Sequence, residues 1–405
     1  VLNSTYTSST ALTTSANVGF FVQHPLEQAN NLISNVRLVK GRAVYTADFT
    51  PETELTAVTG TVLLTCQGAA PFVDKSTSNI PITKRGNVYA SSLGPAPSLT
   101  DAKGGLVWIK ERTSNSGHIW FDSVRGAGNY LFSVNANAEG YADDAVMSFD
   151  SDGYSTGDNG ATNESGQNFV AWCWKAGGAA VSNTDGSITS QVSANQTAGF
   201  SIVSWTSDGT NLTVGHGLNK VPSFIIQKQR SATSNWPVYH KSIGATETVE
   251  LNLTTAASTS SDFGNTSPTS SVFSSNITGV SGREIIAYCW VEIEGYSKFG
   301  SYIGNASADG PFVYCGFKPA WVLIKKTNGS GNENWRLFDS SRCPTNQNNK
   351  QLLPSSSSAE STETGMDFLS NGFKLRDADA HQNQSGSTYI FAAFAESPFK
   401  TANAK

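Results

Sequence analysis

Two carboxylates two positions apart, Glu292 and Glu294, are the first residues that could do chemistry. On a strand that spacing puts both on one face, and glycosidases pair two such acids as nucleophile and general acid. Here the pair runs directly into Gly295, and the further Asp that such a strand commonly carries is missing. Hydrolysis of a glycan is therefore the weakest reading of the pair. Asp122 and Arg125 stand three apart, as do Asp339 and Arg342, each within F-D-S-x-R. Such a unit could clamp a ligand. It equally describes a turn in which Asp accepts backbone N–H groups and Arg folds back on it. Recurrence at one place in a repeat favours the turn.

The five histidines (His24, His118, His216, His240, His381) never fall at ligand spacing with another His or Cys, so neither a metal nor a cofactor is expected. No phosphate-binding, nucleotide or nucleophile-elbow motif is present. Sugars are bound by stacking on aromatic rings, and the chain has nine Trp and twelve Tyr. Trp172, Trp174, Trp290 and Trp321 lie in apolar runs and read as core. Trp236, Tyr239 and His240 differ, because polar turn residues flank them in Ser234-Asn235-Trp236-Pro237-Val238-Tyr239-His240. They are the candidate surface-binding group. The competing reading has Trp236 filling the place of Trp120 and Trp335.

The elements that must hold these residues are strands. Runs such as Val107-Trp108-Ile109-Lys110 and Trp321-Val322-Leu323-Ile324-Lys325 are separated by Gly, Asn, Asp, Ser and Pro, which predicts an all-β fold of sandwiches. One order of elements recurs. Trp108-Ile109-Lys110, F-D-S-x-R from Phe121, Asp152-Gly153 and Phe169-Val170-Ala171-Trp172-Cys173-Trp174 return as Leu323-Ile324-Lys325, F-D-S-x-R from Phe338, Asn371-Gly372 and Ile390-Phe391-Ala392-Ala393-Phe394. Asp122 to Gly153 is 31 positions, and Asp339 to Gly372 is 33. Asp-Gly and Asn-Gly read as hairpin turns. Between the two lies a degenerate copy without F-D-S-x-R: Phe224-Ile225-Ile226-Gln227-Lys228, Trp236 to His240, and Ile285 to Trp290. The second and third copies share an opening strand, at Gly199-Phe200 and Gly295-Tyr296, which the first copy lacks.

The expected organisation is a β segment over 1–95, repeat modules over 96–178, 196–294 and 295–405, and linkers at Gly94-Pro95-Ala96-Pro97 and over 175–198. Charged residues are 15% of the chain against roughly 25% in typical soluble domains, so Ser, Thr, Asn and Gly clothe the surface. A net charge of −5 without basic stripes argues against nucleic acid. No apolar run is long enough to insert in a membrane. Five widely spaced cysteines give no disulfide framework, as suits a chain assembled in a reducing compartment.

Two resemblances follow from the quoted residues. Ile33 to Thr50 carries I-x-x-V-R-x-x-x-G-x-A-x-Y-x-x-x-F and resembles the closing strands of a concanavalin-A-like, laminin-G-type jelly roll, of which 1–95 would be the C-terminal part. From about residue 100 onward the chain resembles an uncharacterised repeat domain of phage tail-fibre-like proteins. Glu292 to Tyr302, Leu369 to Asp377 and Ala395 to Lys405 carry that likeness. It implies a virion surface protein, extracellular once released, that attaches to a host glycan or protein; trimerisation follows the habit of phage fibres. A structural or decoration protein contacting other virion subunits is the alternative, and a glycan depolymerase comes third. The likeness brings no catalytic residues.

Overall fold

The computed structural model describes residues 36–39, 56–59, 61–65, 76–78, 104–150, 153–329 and 333–396. Strand accounts for 46% of the structure and helix for 3%, so the all-β expectation holds. The chain divides into two compact units, 1–99 and 100–405. In the first, Val36–Val39 pairs antiparallel with Thr61–Thr65, with Leu63 and Leu64 buried. This pair includes the V-R-L-V of the jelly-roll signature; the rest of that signature and the Gly94–Pro97 linker lie outside the described residues.

In the second unit one strand of each module is buried at every position: Gly105–Glu111, Phe224–Gln229 and Trp321–Lys326. Burial on both faces explains why these runs read as continuously apolar and not alternating. Each pairs on one side with a closing strand (Phe169–Lys175, Ser281–Trp290, Thr388–Phe394). On the other side it pairs with a turn strand (Ile119–Asp122, Pro237–His240, Arg336–Asp339). Modules 2 and 3 add an opening strand beyond the closing one, Phe200–Asp208 and Ser297–Ile303. Among the described residues module 1 has none, so Phe169–Lys175 ends its sheet.

Register fixes the correspondence between copies. Leu106, Phe224 and Trp321 oppose Trp174, Trp290 and Phe394; two residues on, Trp108, Ile226 and Leu323 oppose Trp172, Tyr288 and Ala392. Those side chains, with Phe200, Phe299, Trp236 and Trp335, form one core to which all three modules contribute. The void at its centre is only about 10 Å³ and is walled by apolar and aromatic side chains such as Trp108, Trp174, Trp290 and Phe394. The opposite face of each sheet packs on a smaller outer layer over a core of its own. Each module is thus a sandwich whose inner face is completed by the other two, which is why the three do not part into separate bodies.

Three readings need correction. The segment expected as a linker over 175–198 contains strands Val181–Asn183 and Ser190–Asn195, which extend the module 2 sheet past its opening strand. The opening strands align with Gly199 against Tyr296, one residue from the expected match: both carbonyls accept the N–H that follows the closing strand, from Val291 and Ala395. The hairpin before Gly372 turns on Ser370-Asn371, since Leu369 pairs with Gly372. Gly372 is needed for another reason: an added Cβ would lie 2.1 Å from the Val313 carbonyl oxygen.

The three central strands carry lysines at one register position, Lys110, Lys228 and Lys325. Burial pushes them down to about 8, 8 and 7. Each Nζ donates to carbonyls: Lys228 to Ala136 of module 1 and Ser234, Lys325 to Leu253 and Thr254 of module 2 and to Glu333, and Lys110 to Glu111 and Ser114 within its own module. Replacing Lys325 by Met orphans three carbonyls, and a loss of about 2–4 kcal/mol is expected in chemical denaturation. Lys110→Met, which reaches no neighbouring module, should cost less.

Candidate functional site

The F-D-S-x-R turns are where the modules lock together. Asp122 Oδ1 accepts the N–H groups of Val124 and Arg125 at 3.0 and 2.9 Å, and Arg125 Nε pairs with Asp122 Oδ2. Arg125 also donates to the Trp120 carbonyl and to Glu139, and Glu139 holds Arg230 of module 2 at 2.8 Å. The same Oδ2 accepts the hydroxyl of Tyr288, from the closing strand of module 2, at 2.7 Å. Burial works against the Arg125 charge, but Asp122, Tyr288 and Glu139 raise its pKa, so the guanidinium stays protonated.

Module 3 repeats this arrangement against module 1. Asp339 accepts Arg342 Nε at 2.6 Å and the Trp172 indole N–H of module 1 at 3.1 Å. Arg342 reaches Glu360, which holds Arg112 of module 1 at 2.9 Å. Burial alone would raise the Glu360 carboxyl, but hydrogen bonds from Arg112 and Arg342 bring it below the usual range.

At the junction of modules 2 and 3 the same positions hold different residues. His240 opposes Phe224 as Asp122 opposes Leu106 and Asp339 opposes Trp321. Its partner strand presents Ala392 where the others present Tyr288 and Trp172, so no side-chain donor faces it. Its Nε2–H instead donates to the Phe391 carbonyl at 3.1 Å, while Nδ1 accepts the Ser242 N–H. An acid suits a donor and an imidazole N–H suits a carbonyl. The rest of the ladder follows: Ile243 stands for Arg125, Thr327 for Arg230, and Ala257 for Glu139. The backbone bond survives, because Ala257 N–H donates to Thr327 O as Glu139 does to Arg230 O and Glu360 to Arg112 O. Where the middle copy lacks F-D-S-x-R, uncharged side chains thus occupy the positions of the whole charged ladder.

The expected surface-binding group is not on the surface. Trp236, Tyr239 and His240 are buried at 0, 4 and 0% exposure, so none can touch a large partner. Trp236 donates its indole N–H to Asn135 O of module 1 as Trp335 does to Glu250 O of module 2. Trp120, however, opposes Trp108 at the register of Val238 and Leu337. His118, four before Asp122, takes the place of Trp236 and Trp335. The expected match of Trp120 with them is therefore off by two residues, although all three share one core. Glu292 is engaged by Lys241 at 2.6 Å and Lys298 at 3.4 Å, and it accepts the Phe299 N–H at 3.0 Å. Burial opposes its charge, yet these partners bring it below the usual carboxylate range, the opposite of what a general acid needs. Among the described residues no His, Cys, Asp and Glu group could hold a metal ion, and no helix is long and apolar enough to cross a membrane.

What sequence reasoning missed is a groove of about 240 Å³ at the open side of module 3. It lies between the opening strand Ser297–Ile303 and the outer strand Phe312–Tyr314, each the last strand of its sheet. Tyr302, Val313 and Phe391 line it, and Lys298 stands at its rim. Phe312 and Tyr314, which also border it, are 45 and 64% exposed, so two large aromatics stand open to solvent at this edge. The signal in the sequence was Phe312-Val313-Tyr314, whose alternation leaves both aromatics on the face that Val313 does not use.

Residues 96–398 match the family described as Domain of unknown function (DUF7483). The chain belongs to this family. The DUF7483 match spans all three modules as one stretch, in keeping with a core that no module completes alone. No curated protein and no solved structure matches the chain.

Two outcomes test the junctions. Asp339→Ala takes the acceptor from Arg342 Nε and from the buried Trp172 indole N–H, leaving Glu360 as the acid on Arg342, and a loss of about 2–4 kcal/mol is expected in denaturant unfolding. His240 has its pKa lowered from 6.5 to about 4, mainly by burial. A depressed folded pKa gives stability that is complete above pH 6.5 and lost as pH falls through 4. Relative to His240→Gln, which keeps a donor but cannot titrate, the native chain should lose on the order of 3 kcal/mol across that window. An unchanged difference between the two proteins would contradict the assignment.

Proposed function

We propose that this chain is a non-enzymatic attachment protein of a virion surface appendage, a tail fibre, that contacts a host cell-surface glycan or protein. The carrying observation is the exposed aromatic groove of module 3, set on a body whose other large aromatics are mostly buried in the shared core. The ionisable groups that first suggested chemistry are engaged in holding modules together: Asp122, Asp339 and His240 at junctions, Glu292 in ion pairs. The surface left is dressed by hydroxyls and amides, which suits contact outside a cell. The likeness of Glu292 to Tyr302 and of the C-terminal stretch to tail-fibre-like repeats supports the location.

A structural or decoration role within the virion is the second reading, favoured by one observation: the open strand edge beside the groove is a surface that another subunit could extend. Trimerisation belongs to the fibre reading. The ring of module contacts already closes within one chain, so this unit needs no second copy to bury its inner faces. Purified chain added to host cells should occupy the receptor and reduce adsorption of the particles that carry it, and Phe312→Ala with Tyr314→Ala should weaken that competition about tenfold or more. Undiminished adsorption at saturating protein, with tight co-assembly on virion subunits, would transfer the assignment to the structural role. Reducing-end release from host polysaccharide, lost in Glu292→Gln, would revive the depolymerase.

A further inference from the structure

Among the described residues, nothing pairs with the outer edge of the opening strand of module 3, whereas the equivalent edge in module 2 is covered. Ala395 N–H donates to Tyr296 O and Gly304 N–H to Ser387 O. In the intervening antiparallel ladder, Lys298, Gly300 and Tyr302 therefore turn their backbone groups toward the closing strand. Phe299, Ser301 and Ile303 turn theirs outward. Glu292 takes the Phe299 N–H, while among the described residues nothing takes that of Ser301 or Ile303. By register Ser297, Phe299 and Ser301 stand where Phe200, Ile202 and Ser204 stand in module 2. There the strand Ser190–Asn195 covers the edge, pairing Asn195 with Phe200, Ser193 with Ile202 and Gln191 with Ser204. Val192 is buried in the outer core of module 2, and Ile188 bridges Val214 across the mouth of the sandwich. Only six residues separate the closing strand of module 2 from the opening strand of module 3, too few for such a hairpin.

Sheets normally protect an edge with charge, proline or cover, because bare N–H and C=O groups pair with other chains. Here protection stops at one end, with Glu292 and Lys298. At the other end Ile303 and Tyr314 are exposed. The groove lies open where module 2 seats Val192, and Gly300 keeps it so: an added Cβ would lie 2.8 Å from the Phe391 ring that lines it.

We propose that this edge accepts an antiparallel strand from a partner polypeptide. The partner would alternate small apolar residues, facing Tyr302 and Phe391, with hydroxyl or amide residues, as Ser190–Asn195 does for module 2 within the chain. Main-chain pairing gives such a site its affinity and the groove its selectivity. The inference deepens the reading of the chain as a binding protein and assigns its partner as protein, not sugar.

The probe is a fluorescent peptide with the sequence of residues 187–197, titrated against the full chain by anisotropy. Saturable binding with a Kd near or below about 1 mM is expected, because a tethered strand enjoys an effective concentration of that order which a free peptide lacks. Ser301→Pro removes an outward N–H at an edge position where proline is tolerated. It should weaken binding about tenfold or more, with circular dichroism unchanged, while Ser301→Ala should bind as the native chain does. No binding at a few times ~1 mM, or binding indifferent to Ser301→Pro, overturns the proposal. So does a glycan that fills the groove, shown by sensitivity to Tyr314→Ala but not to Ser301→Pro. Dimerisation abolished by Ser301→Pro in sedimentation would also overturn it, giving the edge to a second copy. If the peptide fails while purified chain still blocks adsorption, only the strand inference falls; if the peptide binds and adsorption is untouched, only host attachment falls.

Discussion

The structure depends on three sheets that each expose an apolar inner face no single module can cover. Trp174, Trp290 and Phe394 meet Trp321 and Phe224 in one packed centre. Edge-on and tilted ring contacts add to the area each aromatic removes from water. Truncating one such side chain typically costs about 3–5 kcal/mol, a large share of a domain's total stability. Everything polar at the junctions is subordinate to this packing. The Asp-Arg-Glu-Arg ladders and the lysines satisfy groups that the shared core has already taken out of water, and they fix which module meets which.

The three junctions compare two ways of solving one problem. Two use a buried acid against a tyrosine or tryptophan donor and a guanidinium ladder. The third uses an imidazole against a backbone carbonyl and apolar residues along the ladder. Buried charged pairs roughly offset their own desolvation, so an apolar replacement need not be weaker. The two solutions do not mix freely, because an acid in place of His240 would face the Phe391 carbonyl with no donor.

Much of this was legible in the sequence. Strand runs, turn residues and the recurring order of motifs were enough for the fold class and the three copies, and Asp with Arg three residues on was readable as a turn. The middle copy was readable as degenerate. What stayed hidden depends on which residues face each other across modules. Trp236 and His240 look like loop residues because Ser234, Asn235 and Pro237 flank them, yet a neighbouring module supplies the walls that bury them. The Trp120 correspondence failed because tryptophan occurs at two register positions, and sequence order cannot distinguish a shift of two that keeps the same face. Residues 175–198 read as a linker because a strand that pairs mostly through its backbone can be built from Ser, Asn and Gln. The Phe312-Val313-Tyr314 alternation hinted at exposed aromatics, but the open edge beside them shows only once the equivalent edge of module 2 is seen to be covered.

Native-state hydrogen exchange on Trp290→Ala tests the shared core most directly. Trp290 belongs to module 2 but packs against Trp174 of module 1 as well as its own Phe200 and Phe224. If the three modules are one cooperative body, the slowest amides of Gly105–Glu111, Phe224–Gln229 and Trp321–Lys326 should lose protection by the same free energy. A loss confined to Phe224–Gln229, with the other two central strands as protected as before, would show that each module stands alone and contradict the account.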